Sequence, residues 1–152
     1  MLAEHLPHID WDDLYRNLRR SGAPFGIAFG DVTILSNSRN ALEAGEFARD
    51  QGKYELFHEA LFHAYFTETK DIGRMDVITG LAEKSGLDAA EMQAALKEKQ
   101  YLPRLEQVTR EARQNGINSA PTFLIDGRHA VVGAQPIEVF RETLQKIRFE
   151  TL

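Results

Sequence analysis

Hydrophobic positions recur at helical spacing over roughly the first three quarters of this chain and then give way to short β-rich runs. Asp10 stands where an N-cap belongs, ahead of an amphipathic stretch over 11–20 in which Leu14, Tyr15 and Leu18 share a face. Asp12 and Asp13 suit its first turn, and Gly22 and Pro24 end it. Residues 25–35 are rich in β-branched side chains and read as a strand, or as a packed, irregular crossing segment because of Gly26 and Gly30. Ser36 or Asn37 is then expected to cap a helix running to about Gln51, with Leu42, Phe47 and Ala48 inward and Gly52 as its left-handed stop. A helix over 54–66 carries Leu56, Phe57, Leu61, Phe62, Tyr65 and Phe66, and Asp71-Ile72-Gly73 is a turn. A further helix follows over 74–84 with Gly86 at its C′ position. Asp88 and Glu91 form a capping-box-like start for a helix through Lys97. Pro103 opens a longer helix over 102–115, with Leu105, Val108 and Ala112 on one face and Gly116 after it.

Beyond Gly116 the period changes. Residues 122–125 and 129–132 flank Asp126-Gly127, a strong hairpin signal. Gly133 and Pro136 separate this hairpin from a last helix over 137–147, which uses Val139, Phe140, Leu144 and Ile147. The pattern predicts an α/β chain that is rich in helix. It divides into an N-terminal helix and crossing segment (1–35), a helical insert with a return helix (36–115), and a C-terminal hairpin with a helix (116–152).

Composition narrows the function. The 152 residues hold 18 Lys+Arg against 23 Asp+Glu, a net charge of -5, without the concentrated basic face that nucleic acid requires. No apolar run approaches the ~20 residues of a membrane span, and the first residues show neither the basic start nor the apolar stretch of a secretory signal. There is no cysteine, which excludes disulfides, thiolate zinc sites, cysteine nucleophiles and dithiol redox chemistry by these residues acting alone. A cytoplasmic setting is expected, and no cofactor is called for.

The segment that carries most meaning is Ser119-Ala120-Pro121-Thr122-Phe123-Leu124-Ile125-Asp126-Gly127, in which a proline opens a strand and a tight turn follows. It resembles the C-terminal half of a thioredoxin-fold protein. Asn37-Ser38-Arg39, Ala41-Leu42-Glu43-Ala44, Ala64-Tyr65-Phe66 before Asp71-Ile72-Gly73, Gly86-Leu87-Asp88, Ala120-Pro121-Thr122-Phe123 and Gly133-Ala134-Gln135-Pro136 occur in one order. Together they resemble the cytoplasmic FrnE-like branch of the DsbA family from about Trp11 to the last helix. The resemblance implies a thioredoxin fold interrupted by a helical insert, and a thiol–disulfide oxidoreductase ancestry. In such proteins a Cys-x-x-Cys pair at a helix start attacks disulfides, and the residue before a cis-proline pairs its backbone with substrate by strand addition.

Ala120, Pro121 and Thr122 would take that substrate-binding role here, with Asn37 as a further contact. Against the family pattern, the chain lacks the first strand–helix–strand unit, about 30 or more residues, and with it the Cys-x-x-Cys pair and central strands. The related 2-hydroxychromene-2-carboxylate isomerases and kappa-class glutathione transferases place a serine near the same helix start, and that position is missing too. The expected protein is therefore a truncated, DsbA-like thiol–disulfide oxidoreductase relative without redox cysteines. The alternatives are a non-catalytic peptide-binding module or a member of the glutathione-dependent isomerase branch, so a peptide, a protein substrate or glutathione are the candidate partners. The strand over 122–125 is expected to have an open edge, used for homodimerisation or filled by residues 29–35.

Other residues invite weaker readings. His58, Glu59 and His63 approach a zinc-helix motif, but the spacing of five turns the imidazoles about 140° apart around a helix. No metal site is expected, and His5 and His8 read as surface residues. Phe47, Tyr54, Phe57, Phe62, Tyr65 and Phe66 form either core or the wall of a pocket for a planar ligand, with core the default. Asn37, Ser38 and Arg39 read as a helix cap in preference to an anion site. Glu43, Glu46, Asp12 and Asp13 are expected on a solvated face.

Overall fold

The computed structural model describes residues 8–150; His5 lies outside them. Its elements are α1 (Trp11–Gly22), a 3-10 turn (Ala23–Phe25), α2 (Arg39–Asp50), α3 (Tyr54–Phe62) running into a π-helical turn (His63–Thr67), α4 (Met75–Lys84), α5 (Ala89–Lys97), α6 (Leu102–Gln114), β1 (Thr122–Ile125), β2 (His129–Val132) and α7 (Ile137–Glu150). The chain forms two compact units, one ending at Leu105 and the other beginning at Glu106. This helix-rich α/β arrangement with a terminal hairpin is the fold class that the pattern predicts.

Local chemistry sets most helix ends. Asp10 Oδ1 accepts from Asp13 N at 2.9 Å, and Asp88 Oδ1 accepts from Glu91 N at 2.9 Å, so both expected acidic caps form. Gly86 and Gly116, at φ 73 each, close α4 and α6 in the same way. The next residue donates back five positions (Leu87 N to Ala82 O and Ile117 N to Ala112 O, both 2.9 Å), the bond of a Schellman stop. The cap of α2 differs from expectation. Ser38, not Ser36 or Asn37, is its N-cap and makes no side-chain bond, while Asn37 Oδ1 accepts from Arg39 N at 3.2 Å.

In the first unit α2 packs against α3, α4 and α5. Ala41, Ala44, Phe47, Ala48, Phe57, Ala64, Ile78, Ala82 and Met92 form the centre of one continuous core. Small alanines on α2 let the neighbouring helices approach closely, and Phe57, Ile78 and Met92 fill the space between them. Two expectations for α2 fail because it is covered on more than one side. Leu42 points outward, 55% exposed. Glu43, read as solvated, is buried at 2% exposure, and its Oε2 has no hydrogen-bond partner among the described residues. Glu46 is also held, by Arg104 at 2.9 Å and Arg49 at 3.5 Å, rather than solvated.

Residues 26–37 form no strand. Their backbone groups are taken by helices instead of a ladder: Gly30 N donates to Phe66 O (2.8 Å), Tyr15 Oη to Val32 O (2.6 Å), Tyr65 Oη to Ile34 O (3.0 Å), Thr67 Oγ1 to Ala28 O (2.7 Å) and Arg19 Nε to Phe29 O (3.0 Å). The irregular alternative is the correct one. Gly30 is required, because a Cβ there would lie 2.6 Å from Thr67 O and 2.7 Å from Thr69 Cγ2. A smaller core of Tyr15 and Val32, flanked by Trp11, Leu18, Tyr65 and Phe66, secures the crossing. Burial raises the Tyr15 and Tyr65 hydroxyls above the ordinary phenol range.

In the second unit β1 and β2 pair antiparallel in a two-stranded sheet, Thr122 opposite Val132 through Ile125 opposite His129. Asp126 and Gly127 have φ 51 and 67, the positive values that a primed hairpin turn requires, as the Asp-Gly pair foretells. Residues 29–35 do not pair with this hairpin, so the expectation that they fill its edge is overturned; their bonds to α1 and the π-turn region account for them.

Candidate functional site

Two places gather chemistry, one in each unit. In the second, the loop after α6 leads through Ser119, Ala120 and Pro121 into β1, all three exposed. The Ala120–Pro121 peptide bond is cis. Thr122 Oγ1 donates to Ser119 O at 2.6 Å, and Gly133 N donates to Pro121 O at 2.8 Å, which locks the loop to the far end of β2. Bonding alternates along an antiparallel pair, so this contact sets its phase. Phe123 and Ile125 turn their main-chain groups toward β2, and Thr122 and Leu124 turn theirs away. The outward edge of β1 has no strand partner among the described residues. Phe123 sits edge-on to Phe140 of α7, ring centroids 4.9 Å apart, while Leu124 and Val132 on the opposite face stay half exposed. Asp126, beside Arg128 at 2.8 Å, is held below the usual carboxylate range by that guanidinium.

Ala120, Pro121 and Thr122 are thus contiguous and accessible, with Thr122 half-buried. Asn37 belongs to the first unit. Its carboxamide oxygen is spent on Arg39 N, and its backbone lies so close to Gly73 that a Cβ there would be 3.1 Å from Asn37 N. The neighbouring Asp71 accepts from Gly73 N at 2.9 Å, and its carboxyl is lowered first by the Ser36 hydroxyl and then by that N–H. These bonds fit a local turn ahead of α2.

The first unit also holds a cavity of about 360 Å³ between α2 and α3. One wall is a run of rings at helical spacing: Tyr54 over His58 (centroids 5.2 Å), His58 over Phe62 (4.3 Å) and Phe62 against Phe66 (5.6 Å). Leu42, Gly45, Leu61, Ile72 and Leu105 line the rest, with Ser38 and Glu46 as polar members. A second cavity, about 730 Å³, shares Phe62 and Phe66 with the first. The default reading of the aromatic cluster as core holds for Phe47 and Phe57, and Tyr65 and Phe66 pack half-buried against the smaller core while also lining the cavity; it fails for Phe62, which is exposed, and Tyr54 is a half-buried cavity wall. The spacing of α3 could not reveal this, because it puts 57, 61 and 64 on the packed face and leaves 54, 58 and 62 beside it.

Arg104 bridges two carboxylates of α2, one of which, Glu46, lines the first cavity. Its guanidinium bonds Glu46 at 2.9 Å and Asp50 at 3.0 Å, and lies 5.4 Å from the ring centre of Tyr101. Arg104, and secondarily Tyr101, hold the Asp50 carboxyl below its ordinary range, while Arg104 itself is raised by the two carboxylates. This cluster was not singled out in the sequence, since its members stand more than fifty positions apart.

His58 and His63 do not converge. His58 is stacked between rings, and His63 Nδ1 lies 3.7 Å from Glu68 Oε1. Among the described residues no group of three His, Asp or Glu is arranged to hold a metal, and no helix is long and apolar enough to cross a membrane.

Comparison with known proteins fits this geometry. The family description "DSBA-like thioredoxin domain" matches residues 10–145. The uncharacterized protein YwbO of Bacillus subtilis (strain 168) is 33% identical over 119 residues, covering 78% of this chain and 59% of that protein. The crystal structure of a probable DsbA oxidoreductase from Streptomyces coelicolor superposes with a TM-score of 0.77 at 27% identity, over 87% of this chain and 58% of that one. The chain therefore spans about three fifths of the length of these relatives. With nearly the whole described chain matched, from the cap of α1 into α7, the protein belongs to the DSBA-like thioredoxin domain family.

Proposed function

We propose that this chain supplies the substrate-recognition part of a DsbA-family thiol–disulfide oxidoreductase of the FrnE-like branch, and that it performs no dithiol exchange by itself. The observation that carries the second half is the absence of any cysteine from a chain matched to the family over residues 10–145. Without a thiolate there is no nucleophile to open a disulfide and no leaving group to re-form one. For recognition, support comes from the open edge of β1. Main-chain N–H and C=O groups of Thr122 and Leu124 face away from β2, next to the exposed Ala120 and Pro121. An extended peptide can add to such an edge, its main chain supplying the hydrogen bonds and its side chains meeting Thr122 and Leu124. A second copy of the chain could use the same edge, giving the expected homodimer.

The test has two arms. Insulin reduction by the chain with dithiothreitol should not exceed the rate with dithiothreitol alone, and turnover above that rate overturns the assignment. An unstructured peptide with alternating apolar residues should shift amide resonances of residues 119–125. Leu124→Pro, which removes an outward N–H while sparing the β2 ladder, should weaken that binding about tenfold. Undiminished binding by this variant would place the peptide elsewhere.

A further inference from the structure

The aromatic cavity of the first unit belongs to neither the β1 edge nor any thiol chemistry, and four features of it point the same way. Its volume, about 360 Å³, lies at the lower end of the range for small-molecule sites and suits two or three fused rings. The rings of Tyr54, His58 and Phe62 in its wall are stacked on one another, with centroid spacings of 5.2 and 4.3 Å, and Arg49 covers the other face of Tyr54 at 3.8 Å, so the wall turns ring edges to the cavity.

The third feature is Gly45. It is buried in the middle of α2, where helices disfavour glycine relative to alanine, yet an added Cβ would meet only Tyr54 Cε2, at an ordinary 3.7 Å. Neither close packing nor a positive φ calls for glycine at this position. Its effect is to keep the cavity open.

The fourth feature is polarity. Glu46, the one carboxylate in the wall, is neutralised by Arg104 and Arg49, so the wall offers no unbalanced carboxylate to a cation. The half-buried His58 ring has no hydrogen-bond partner for its nitrogens among the described residues, which leaves it able to engage a ligand oxygen.

We infer that this cavity is a binding site for a neutral, planar aromatic molecule of two or three rings bearing a hydroxyl group, its face laid against the ring edges of Tyr54 and Phe62 with its hydroxyl on His58. Leu42 and Phe62, exposed at 55% and 53%, form the rim through which it enters.

The experiment titrates the whole chain with 2-naphthol and follows amide and ring resonances by NMR. Saturable one-to-one binding is expected, with shifts concentrated at Gly45, Tyr54, His58 and Phe62. Gly45→Leu, which fills the cavity from its floor, and Leu42→Trp, which fills it from an exposed position that leaves folding undisturbed, should each weaken binding at least tenfold. Naphthalene, lacking the hydroxyl, should bind about fivefold more weakly, and His58→Phe should abolish that difference. No saturation, shifts confined to other surfaces, or full affinity in Leu42→Trp overturns the site. Equal affinity for naphthol and naphthalene, or tighter binding of a naphthalene sulfonate or a naphthyl ammonium ion, overturns the ligand class.

Discussion

In the first unit the small-residue face of α2 ends beneath α3, α4 and α5, and Phe57, Ile78 and Met92 are sealed from water. In the second, the described parts of α6 and α7 contain no buried residue; Val108, Leu144 and the two large apolar residues of the outer hairpin face, Leu124 and Val132, remain half exposed or more. Both stretches have amphipathic helices with sound stop signals, and the hairpin has a well-formed turn. What separates them is the number of neighbours available to each apolar face. A four-helix arrangement supplies several, whereas a two-stranded sheet is at best marginally stable by itself. Patterning states which residues favour burial, and only a covering layer turns that preference into stability.

The sharpest way to break this comparison is a pair of truncations. Phe57→Ala should cost ~3–5 kcal/mol in urea unfolding, because the ring is fully enclosed. Phe123→Ala, whose ring is 44% exposed and meets Phe140 on one side, should cost about 1.5 kcal/mol or less. Equal losses would show that the second unit is as tightly coupled to the core as the first. Next in size is Gly30→Ala, which forces a Cβ against Thr67 O and should cost about 1–3 kcal/mol, seen as a lower unfolding midpoint. An unchanged midpoint would mean that the 26–37 crossing is free to shift and contributes little.

The smallest effect concerns acid. Asp50 has a folded-state pKa below its ordinary 3.8, so its pairing with Arg104 stabilises the fold above about pH 4 and is lost as pH falls through the lowered value. Arg104→Met should therefore reduce stability near neutrality, and the gap from the parent should close as pH drops below about 4. Arg128→Met is the contrast. Its partner Asp126 is two residues away in the same turn, a pair that the unfolded chain can also form, so global stability should barely change. Parallel acid profiles for the Arg104 variant and the parent would remove the long-range pair from the account of the first unit.

Much of this architecture is legible in single residues. Asp10 and Asp88 cap helices because a short carboxylate reaches the third amide onward, a contact that needs nothing beyond the local chain. Gly86 and Gly116 stop helices because they take positive φ without a Cβ penalty, and Asp126-Gly127 closes the hairpin in register for the same reason. The ordered motifs from Asn37 to Pro136 carry the family resemblance, which the match over residues 10–145 establishes.

The misreadings share one cause. Leu42 and Glu43 are adjacent on α2, and helical periodicity assigns faces but not how many neighbours a helix will have. With three helices around it, the buried arc widens to take in Glu43 while Leu42 is left at the mouth of a cavity. Residues 25–35 have the composition of a strand, yet the amides and carbonyls that a ladder would use are claimed by Tyr15, Tyr65, Thr67 and the end of a π-turn. The same distance from local cues hides the Arg104 cluster, whose carboxylates lie 58 and 54 positions earlier on α2 and meet it only after folding.

Caps, glycine stops, the turn type and the lack of a thiol belong to the sequence alone, since each depends on a residue's own chemistry or on partners within a few positions. Which apolar faces are sealed, whether an extended segment finds a ladder, and where rings leave a gap wide enough for a ligand were decided by tertiary packing. Burial is a property of what surrounds a residue, and those surroundings are assembled from positions that the linear order keeps far apart.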